Sequence, residues 1–419
     1  MLKFDKQETK GRDGITALFD AGTFVELGAF IRRPGDNQPY DAVITGYGSV
    51  NGKLAFAFAQ DSDRKAGALD RTGADKICRL YEQALRVGAP VIGVFDSAGA
   101  VVYDGASALS AYGLVMKCIS DASGILPQIA LVSGQCTGMA QALAAMCDFT
   151  VAVKGTAVTA SLEADDEAAA VAAVRGLVEL LPRNNKDVNA IEPTDDAGRP
   201  VALENGVATL ADNAALTELY SSMGPEMTTA LCRMGGECVG LISLCGRLTA
   251  DGARKAARLV SFCDAFSIPV VTTVDSEGVC YEDAETAFAK LAKAYVTATT
   301  AKVTAVMSKA YGAAFTLMGS RALGADLALA VEGSVISVLP PETAVAFAMN
   351  DRITADKTRA DVEAEWKETY ASPLAAAESG DVDDVIPAAE LRSRIISALY
   401  MLAEKADGTP DRKHGVPTL

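Results

Sequence analysis

The chain carries one pattern twice. The segment KICRLYEQALRVGAPVIGVFDSAGA (76–100) lies without a gap over KAARLVSFCDAFSIPVVTTVDSEGV (255–279), with eight of twenty-five positions identical: Lys, Arg, Leu, Pro, Val, Asp, Ser and Gly. In each copy apolar residues recur every three or four positions, as on an amphipathic helix. A proline then ends the helix, and a short continuous apolar run follows as a buried strand. Both strands close in Asp-Ser-x-Gly. Downstream, LVSGQCTGMA (131–140) lies over AVMSKAYGAA (305–314), each a strand leading through small residues into an Ala-rich helix, and ALAAMCDFTVAV parallels ALGADLALAV. A repeat of this kind decides the architecture. Helix, buried strand and small-residue turn, repeated, make a spiral of βα units whose strands are too apolar to leave one sheet face in water. The expected fold is α/β, in two tandem domains.

Length agrees, since 419 residues exceed the ~250–300 at which single cores stop growing. The segment 184–216 has turn residues and no sustained period, so the boundary is expected near Gly206, giving domains 1–206 and 207–419. EADDEAAAVAAVRGLVELLPRNN reads as a surface helix closing the first half. DVDDVIPAAELRSRIISALYMLAEKADG reads as the helix closing the second, with Asp381, Asp383 and Asp384 near its start, where acids suit the helix dipole.

Several function classes are disfavoured. A net charge of −16 opposes docking on a polyanion, and no nucleic-acid partner is expected. The basic stretches IRRPGD and DSDRKAGALDRTGADK read as solvated faces; the second, with Arg64, Lys65, Arg71 and Lys76, alternatively suits a small phosphorylated ligand. Nine cysteines stand singly with no C-x-x-C, and His414 is the one histidine. They read as buried free thiols, no metal site is expected, and a Ser-His-Asp or Cys-His mechanism lacks its imidazole. The start MLKFDKQETKGRDG is charged where a signal peptide would be apolar, and no apolar run reaches the ~18–20 residues of a membrane span, so a cytoplasmic protein is expected.

A strand that passes through small residues into a helix N-terminus presents unpaired backbone N–H groups to whatever sits above it. Two such turns make oxyanion holes, each donor contributing ~2.7–4 kcal/mol to transition-state stabilisation without an ionisable side chain. The same small residues would also simply let the helix pack close to the strand.

Further stretches carry a resemblance. GRDGITALFDAGTFVELGAF, DAVITGYGSVNGK, GAPVIGVFDSAGA, DEAAAVAAVRGLVELLPRNN, KAARLVSFCDAFSIPVVTTVD, KAYGAAFTLMGSRALGAD, VDDVIPAAELRSRIISAL and the tail KHGVP resemble, in this order, the carboxyltransferase subunits of biotin-dependent acyl-CoA carboxylases and decarboxylases. The propionyl-CoA carboxylase β and methylmalonyl-CoA decarboxylase α types are the nearest in pattern. The bacterial acetyl-CoA carboxylase β subunit, with its four-cysteine zinc ribbon, fits less well for want of any C-x-x-C. The resemblance implies two tandem crotonase-like (ClpP/crotonase) ββα-spiral domains, with active sites where the first half of one protomer meets the second half of another. It implies one hole for the acyl-CoA thioester oxygen as an enolate forms, at Gly138, Met139 and Ala140. The other, for the ureido oxygen of carboxybiotin, falls at Gly312, Ala313 and Ala314. Coenzyme A would lie mainly on the first half, beside Ala98, Gly99 and Ala100, with Arg64, Lys65 and Lys76 as phosphate partners. Biotin would arrive on a biotin carboxyl carrier protein, with a biotin carboxylase or a membrane decarboxylase subunit as a further partner. The chain itself would form a homo-oligomer, a dimer at least and a hexamer in the family's usual arrangement.

The departures from the family cluster at the site. Its Asp-Ser-Gly-Gly-Ala-Arg is DSAGAV here, and its Cys-Ala-Gly-Gly-Ala is CTGMA, with Met139 where a left-handed glycine would be replaced at a cost. Gly-Gly-Ala-Tyr-Asp is GAAFT, which puts Thr316 where an Asp linked to acyl-chain choice stands. Three readings stay open on these residues. One is a working carboxyltransferase, in a carboxylase or a sodium-pumping decarboxylase. Another is an acyl-CoA-binding scaffold with little or no activity. The third is a hydratase or isomerase using a carboxylate base, for which Glu277 is the candidate and an exposed turn residue its plainer reading.

Overall fold

The computed structural model describes residues 8–32, 40–187, 191–194, 198–201, 206–408, 416 and 418. His414, most of KHGVP and most of IRRPGD lie outside the described residues. Two compact units are present, Met1–Val188 and Asn189–Leu419, and their division falls within the turn-rich 184–216 segment.

The first unit holds a seven-stranded sheet in sequential order: β1 (Val25–Leu27), β2 (Val43–Val50), β3 (Lys53–Gln60), β4 (Val91–Ser97), β5 (Gln128–Cys136), β6 (Phe149–Val153) and β7 (Leu162–Ala164). The first three pair antiparallel and the rest parallel. Its helices are α1 (Lys10–Ala17), α2 (Arg71–Val87), α3 (Ala106–Ala122), α4 (Met139–Met146) and α5 (Glu167–Leu180).

The second unit repeats the plan with β8 (Leu216–Leu219), β9 (Met227–Met234), β10 (Glu237–Leu248), β11 (Val270–Val279), β12 (Lys302–Tyr311), β13 (Leu327–Val331), β14 (Val335–Ser337) and β15 (Asp384–Ile386). β8 to β10 pair antiparallel; β10, β11, β12, β13 and β15 run parallel, and β14 pairs only the end of β12. Its helices are α6 (Ala250–Ala265), α7 (Glu285–Thr297), α8 (Ala313–Leu317), α9 (Pro341–Ala348), α10 (Arg359–Tyr370), α11 (Pro373–Glu378) and α12 (Leu391–Leu402). No helix among the described residues is long and apolar enough to cross a membrane.

The duplicated segment becomes α2–β4 in one unit and α6–β11 in the other. Asp70 caps α2 by accepting from the Gly73 amide at 2.9 Å, and Thr249 caps α6 by accepting from the Gly252 amide at 3.1 Å. Ile77, Leu80, Tyr81 and Ala84 bury one face of α2; Ala256, Leu259, Val260 and Cys263 bury the corresponding face of α6. Each large apolar side chain buried this way contributes ~1.5–3 kcal/mol. Pro90 and Pro269 then start the strands, and their carbonyls accept from the Phe56 and Gly240 amides of the neighbouring strand, each at 2.9 Å. Every residue of β4 is buried, as its apolar run predicts.

The first closing helix is α5. The second differs from the expectation: Asp381, Asp383 and Asp384 do not open a helix. Asp384 begins β15, Asp383 exchanges bonds with the Ala328 main chain, and α12 starts only at Leu391. Val382 and Ile386 are buried at the sheet edge, so the apolar residues of VDDVI serve a short strand.

Candidate active site

Both Asp-Ser-x-Gly segments end their strands in the same turn. Ser97 Oγ accepts from the Gly99 amide and Ser276 Oγ from the Gly278 amide, each at 3.2 Å, with Gly99 at φ +108° and Gly278 at φ +120°. Both serines are fully buried. They are turn-forming groups, and neither is presented as a nucleophile.

A loop from Arg64 to Leu69 seals the first turn. The Ala98 amide donates to Ala66 O (2.9 Å), the Leu69 amide to Gly99 O (2.9 Å) and the Val101 amide to Leu69 O (3.2 Å). Ala98 is exposed, Ala100 half-buried and Gly99 buried. Beneath lies Asp96, whose carboxylate takes Lys10 Nζ at 2.6 Å and the Gln135 amide at 2.9 Å. Burial opposes its charge, yet hydrogen bonds from Lys10, Ser62 and Gln135 outweigh it and lower its pKa. In the second unit the equivalent Asp275 has a buried Oδ1 with no hydrogen-bond partner among the described residues.

The second pair of turns shares one backbone conformation at its glycines. Gly138, ahead of α4, has φ +59° and ψ −127°; Gly312, ahead of α8, has φ +58° and ψ −138°. Such values belong to glycine, and the next amide, of Met139 or Ala313, is the first of its helix, where an N–H has no partner within the helix. Among the described residues neither of those two amides meets a main-chain acceptor outside its helix. The Ala140 amide is drawn to Thr137 O at 3.2 Å, while Ala140 and Ala314 are fully buried beneath. A Cβ on Gly138 would meet nothing within 4 Å, so the space over the first turn is open. Met139 itself keeps negative φ, and the strain anticipated there does not arise because the positive φ falls on Gly138. Its side chain is 43% exposed beside the turn. Thr316 is exposed one helical turn further on.

The basic residues expected against phosphates are all engaged within the first unit. The Arg64 guanidinium donates to Tyr40 O at 3.0 Å and stacks on the Tyr40 ring. Lys65, itself at φ +49°, pairs with Asp70 at 3.1 Å. Lys76 is 5% exposed and donates to Val43 O, and burial lowers its pKa. The repeat explains it: Lys255, at the matching position and 2% exposed, donates to Tyr220 O at 3.2 Å. Each lysine tethers its helix to the strand region beside it.

The titratable side chains beside the turns are held away from an acid–base role: burial raises the pKa of Tyr311, directly before Gly312. Burial pushes the Cys136 thiol up to about 11. Glu277 is exposed, and a hydrogen bond from Lys309 at 2.8 Å lowers its pKa, so it stays a carboxylate. Among the described residues no group of three or more His, Cys, Asp or Glu is placed to hold a metal. The sequence reading missed Lys10, Lys309, Ser337 and Trp366, which lie around the turns; only Lys309, inside KAYGAA, lay within a motif that could have flagged it.

These features define a class: duplicated ββα proteins in which each unit carries a strand–glycine–helix turn. The carboxyl transferase domain family matches residues 4–161 and 158–417. The propionyl-CoA carboxylase beta chain of Saccharopolyspora erythraea is 32% identical over 98% of this chain and 91% of its own. Methylmalonyl-CoA decarboxylase subunit alpha of Veillonella parvula is 31% identical over 99% and 94%. Transcarboxylase 12S, whose structure is described as a hexamer assembly with hydrolysed methylmalonyl-CoA bound, superposes with a TM-score of 0.92 at 29% identity, covering 98% of this chain and 92% of that one. The chain belongs to the carboxyl transferase domain family and is an enzyme of the biotin-dependent acyl-CoA carboxyltransferase type, which moves a carboxyl group between a biotin carrier and an acyl-CoA.

Proposed function

We propose that the turn at Gly138, Met139 and Ala140 receives the thioester oxygen of an acyl-CoA of propionyl or methylmalonyl size, and that the turn at Gly312, Ala313 and Ala314 receives the ureido oxygen of biotin. The observation that carries this reading is the matched backbone of Gly138 and Gly312, each standing directly before the first amide of a helix, an N–H with no partner within that helix. When bound, carrier-attached biotin supplies or accepts the carboxyl group. The Met139 amide holds negative charge on the thioester oxygen as the α-carbon loses a proton or a carboxyl group, and fixed amides do this without reorganising. Ala98, Gly99 and Ala100 line the coenzyme A side, and Thr316 faces the acyl chain. Lys65 is the proposed phosphate partner, exchanging Asp70 for the ligand; Arg64 anchors the loop on Tyr40 O and Lys76 ties α2 to Val43 O.

The proposed assembly is a homo-oligomer, at least a dimer and a hexamer by likeness to transcarboxylase 12S, in which the first-half turn of one protomer works with the second-half turn of another. A biotin carboxyl carrier protein is the proposed partner, alongside a biotin carboxylase or a membrane decarboxylase subunit. The proposed compartment is the cytoplasm, where nine free thiols stay reduced. Purified protein incubated with methylmalonyl- or malonyl-CoA and free biotin should transfer the carboxyl group and retain the CoA ester in calorimetry. Absence of both would favour a non-catalytic scaffold.

A further inference from the structure

The two amide turns share a backbone conformation but differ in support. In the first unit, among the described residues, no main-chain acceptor meets the Gly138 amide. In the second, the Gly312 amide donates to Ser337 O at 2.9 Å, at the end of the short ladder pairing Lys309 with Val335, Ala310 with Ile336 and Tyr311 with Ser337. Among the described residues β14, three residues long, pairs with β12 alone. Two bonds from the end of α10 secure it. Ala371 O accepts from the Ile336 amide at 2.9 Å, and Trp366 Nε1 donates to Ser337 Oγ at 3.4 Å. Trp366 in turn packs on a small core of Val345, Met349 and Val362 and meets the Tyr370 ring at a tilt of 41°, with ring centroids 4.9 Å apart. The fold is duplicated, yet α9 and α10 follow β14 in one copy only.

We propose that Trp366 is a positioning residue for the second amide turn: through Ser337 it holds Gly312 so that the Ala313 amide faces the reacting group. This rests on the reading of that turn as an oxyanion hole. Gly312 has no side chain to anchor it, so the direction of the Ala313 amide is set by whatever grips the Gly312 main chain. A displacement of ~1 Å in a reacting constellation costs about 10²-fold in rate. Loss of one indole bond at the far end of the chain should cost less, about tenfold. Trp366 is the only tryptophan and touches no reacting atom.

Trp366→Phe keeps the ring in its core and removes the donor. Carboxyl transfer to free biotin should lose about tenfold in kcat with KM for the acyl-CoA unchanged, which loosening of the helical pair by itself would not produce. Ser337→Ala should give the same loss, and the double variant no further loss, because both cut one link. Amide hydrogen exchange supplies a readout independent of activity. Exchange at Gly312 should accelerate about tenfold in either variant, with Gly138 unchanged. Unaltered kcat and exchange in Trp366→Phe, or losses that multiply in the double variant, would overturn the proposal. Accelerated Gly312 exchange in a protein whose wild type transfers no carboxyl group would instead sink the oxyanion reading and leave the Trp366–Ser337–Gly312 link standing.

Discussion

A glycine at φ near +58° and ψ near −130° can be replaced only with strain of about 1–3 kcal/mol, which makes Gly138 and Gly312 the residues most tightly bound to one role. Gly138→Ala meets no neighbour, whereas a Cβ on Gly312 would stand 3.3 Å from Val338 O. Both substitutions should turn the following amide, with transfer falling about 10²–10³-fold, the usual effect of losing one oxyanion donor. Gly138→Ala should do so at little cost in folding beyond the backbone strain. Met139→Gly should keep activity within about threefold, because Met139 already has an ordinary helical backbone and its amide is unchanged. Steady-state transfer assays with urea melts separate the two effects. Asp96 gives a pH signature at the same scale. Its folded pKa lies below the ordinary 3.8, so its contribution to stability is fully present above that value. It is lost as the pH falls through the folded pKa, where the native carboxylate finally takes its proton. The stability gap between wild type and Asp96→Asn should be constant near neutral pH and shrink below 3.8, as read from urea melts across that range; a gap that widened on acidification would refute the assignment.

At the scale of elements, α2–β4 and α6–β11 were legible because helix spacing, a breaking proline and a continuous apolar strand are local signals. So were the two small-residue turns ahead of α4 and α8. The register was not: VDDVI carries five residues that suit a helix start as well as a short strand, and only the edge of β13 decides between them. The lysines at 76 and 255 were visible as a repeated identity, but composition could not say whether Lys76 faced a phosphate or a carbonyl inside the unit. Its 5% exposure and its bond to Val43 O favour the carbonyl, and the consequence is testable. Lys65→Ala should raise KM for the acyl-CoA about fivefold to tenfold, the ~1–1.4 kcal/mol of one partly exposed charge contact. Lys76→Met should leave that KM unchanged while altering the melting midpoint, because its ammonium serves Val43 O. Equal KM effects in the two variants would return Lys76 to the ligand.

At the scale of the whole molecule the duplication reaches further than the sequence alignment shows. Each unit is closed by a late helix whose arginine grips an aspartate, and that aspartate in turn holds the amides of a β-hairpin turn. On α5, Arg175 pairs with Asp20 at 2.7 Å, and Asp20 accepts from the Asn51 and Gly52 amides at 3.1 and 3.0 Å, between β2 and β3. On α12, Arg392 pairs with Asp212, which accepts from the Gly235 and Gly236 amides at 2.9 and 2.7 Å, between β9 and β10. No aligned window contains both partners, since 155 residues separate one pair and 180 the other, so this correspondence could emerge only from the folded chain. The two clamps differ in burial. Arg392 is 0% exposed and Asp212 7%, whereas both partners of the first clamp reach solvent. Breaking a buried pair strands the remaining charge, at about 3–5 kcal/mol, while water screens the outer one. Arg392→Ala should therefore lower the urea midpoint far more than Arg175→Ala. With Arg392 gone, Asp212 stays buried against its two turn amides. Asp212→Asn should cost less than Arg392→Ala, because it removes the buried negative charge. Arg392→Ala losing no more than Arg175→Ala would show that the second clamp is solvated, and the asymmetry between the two units would go with it.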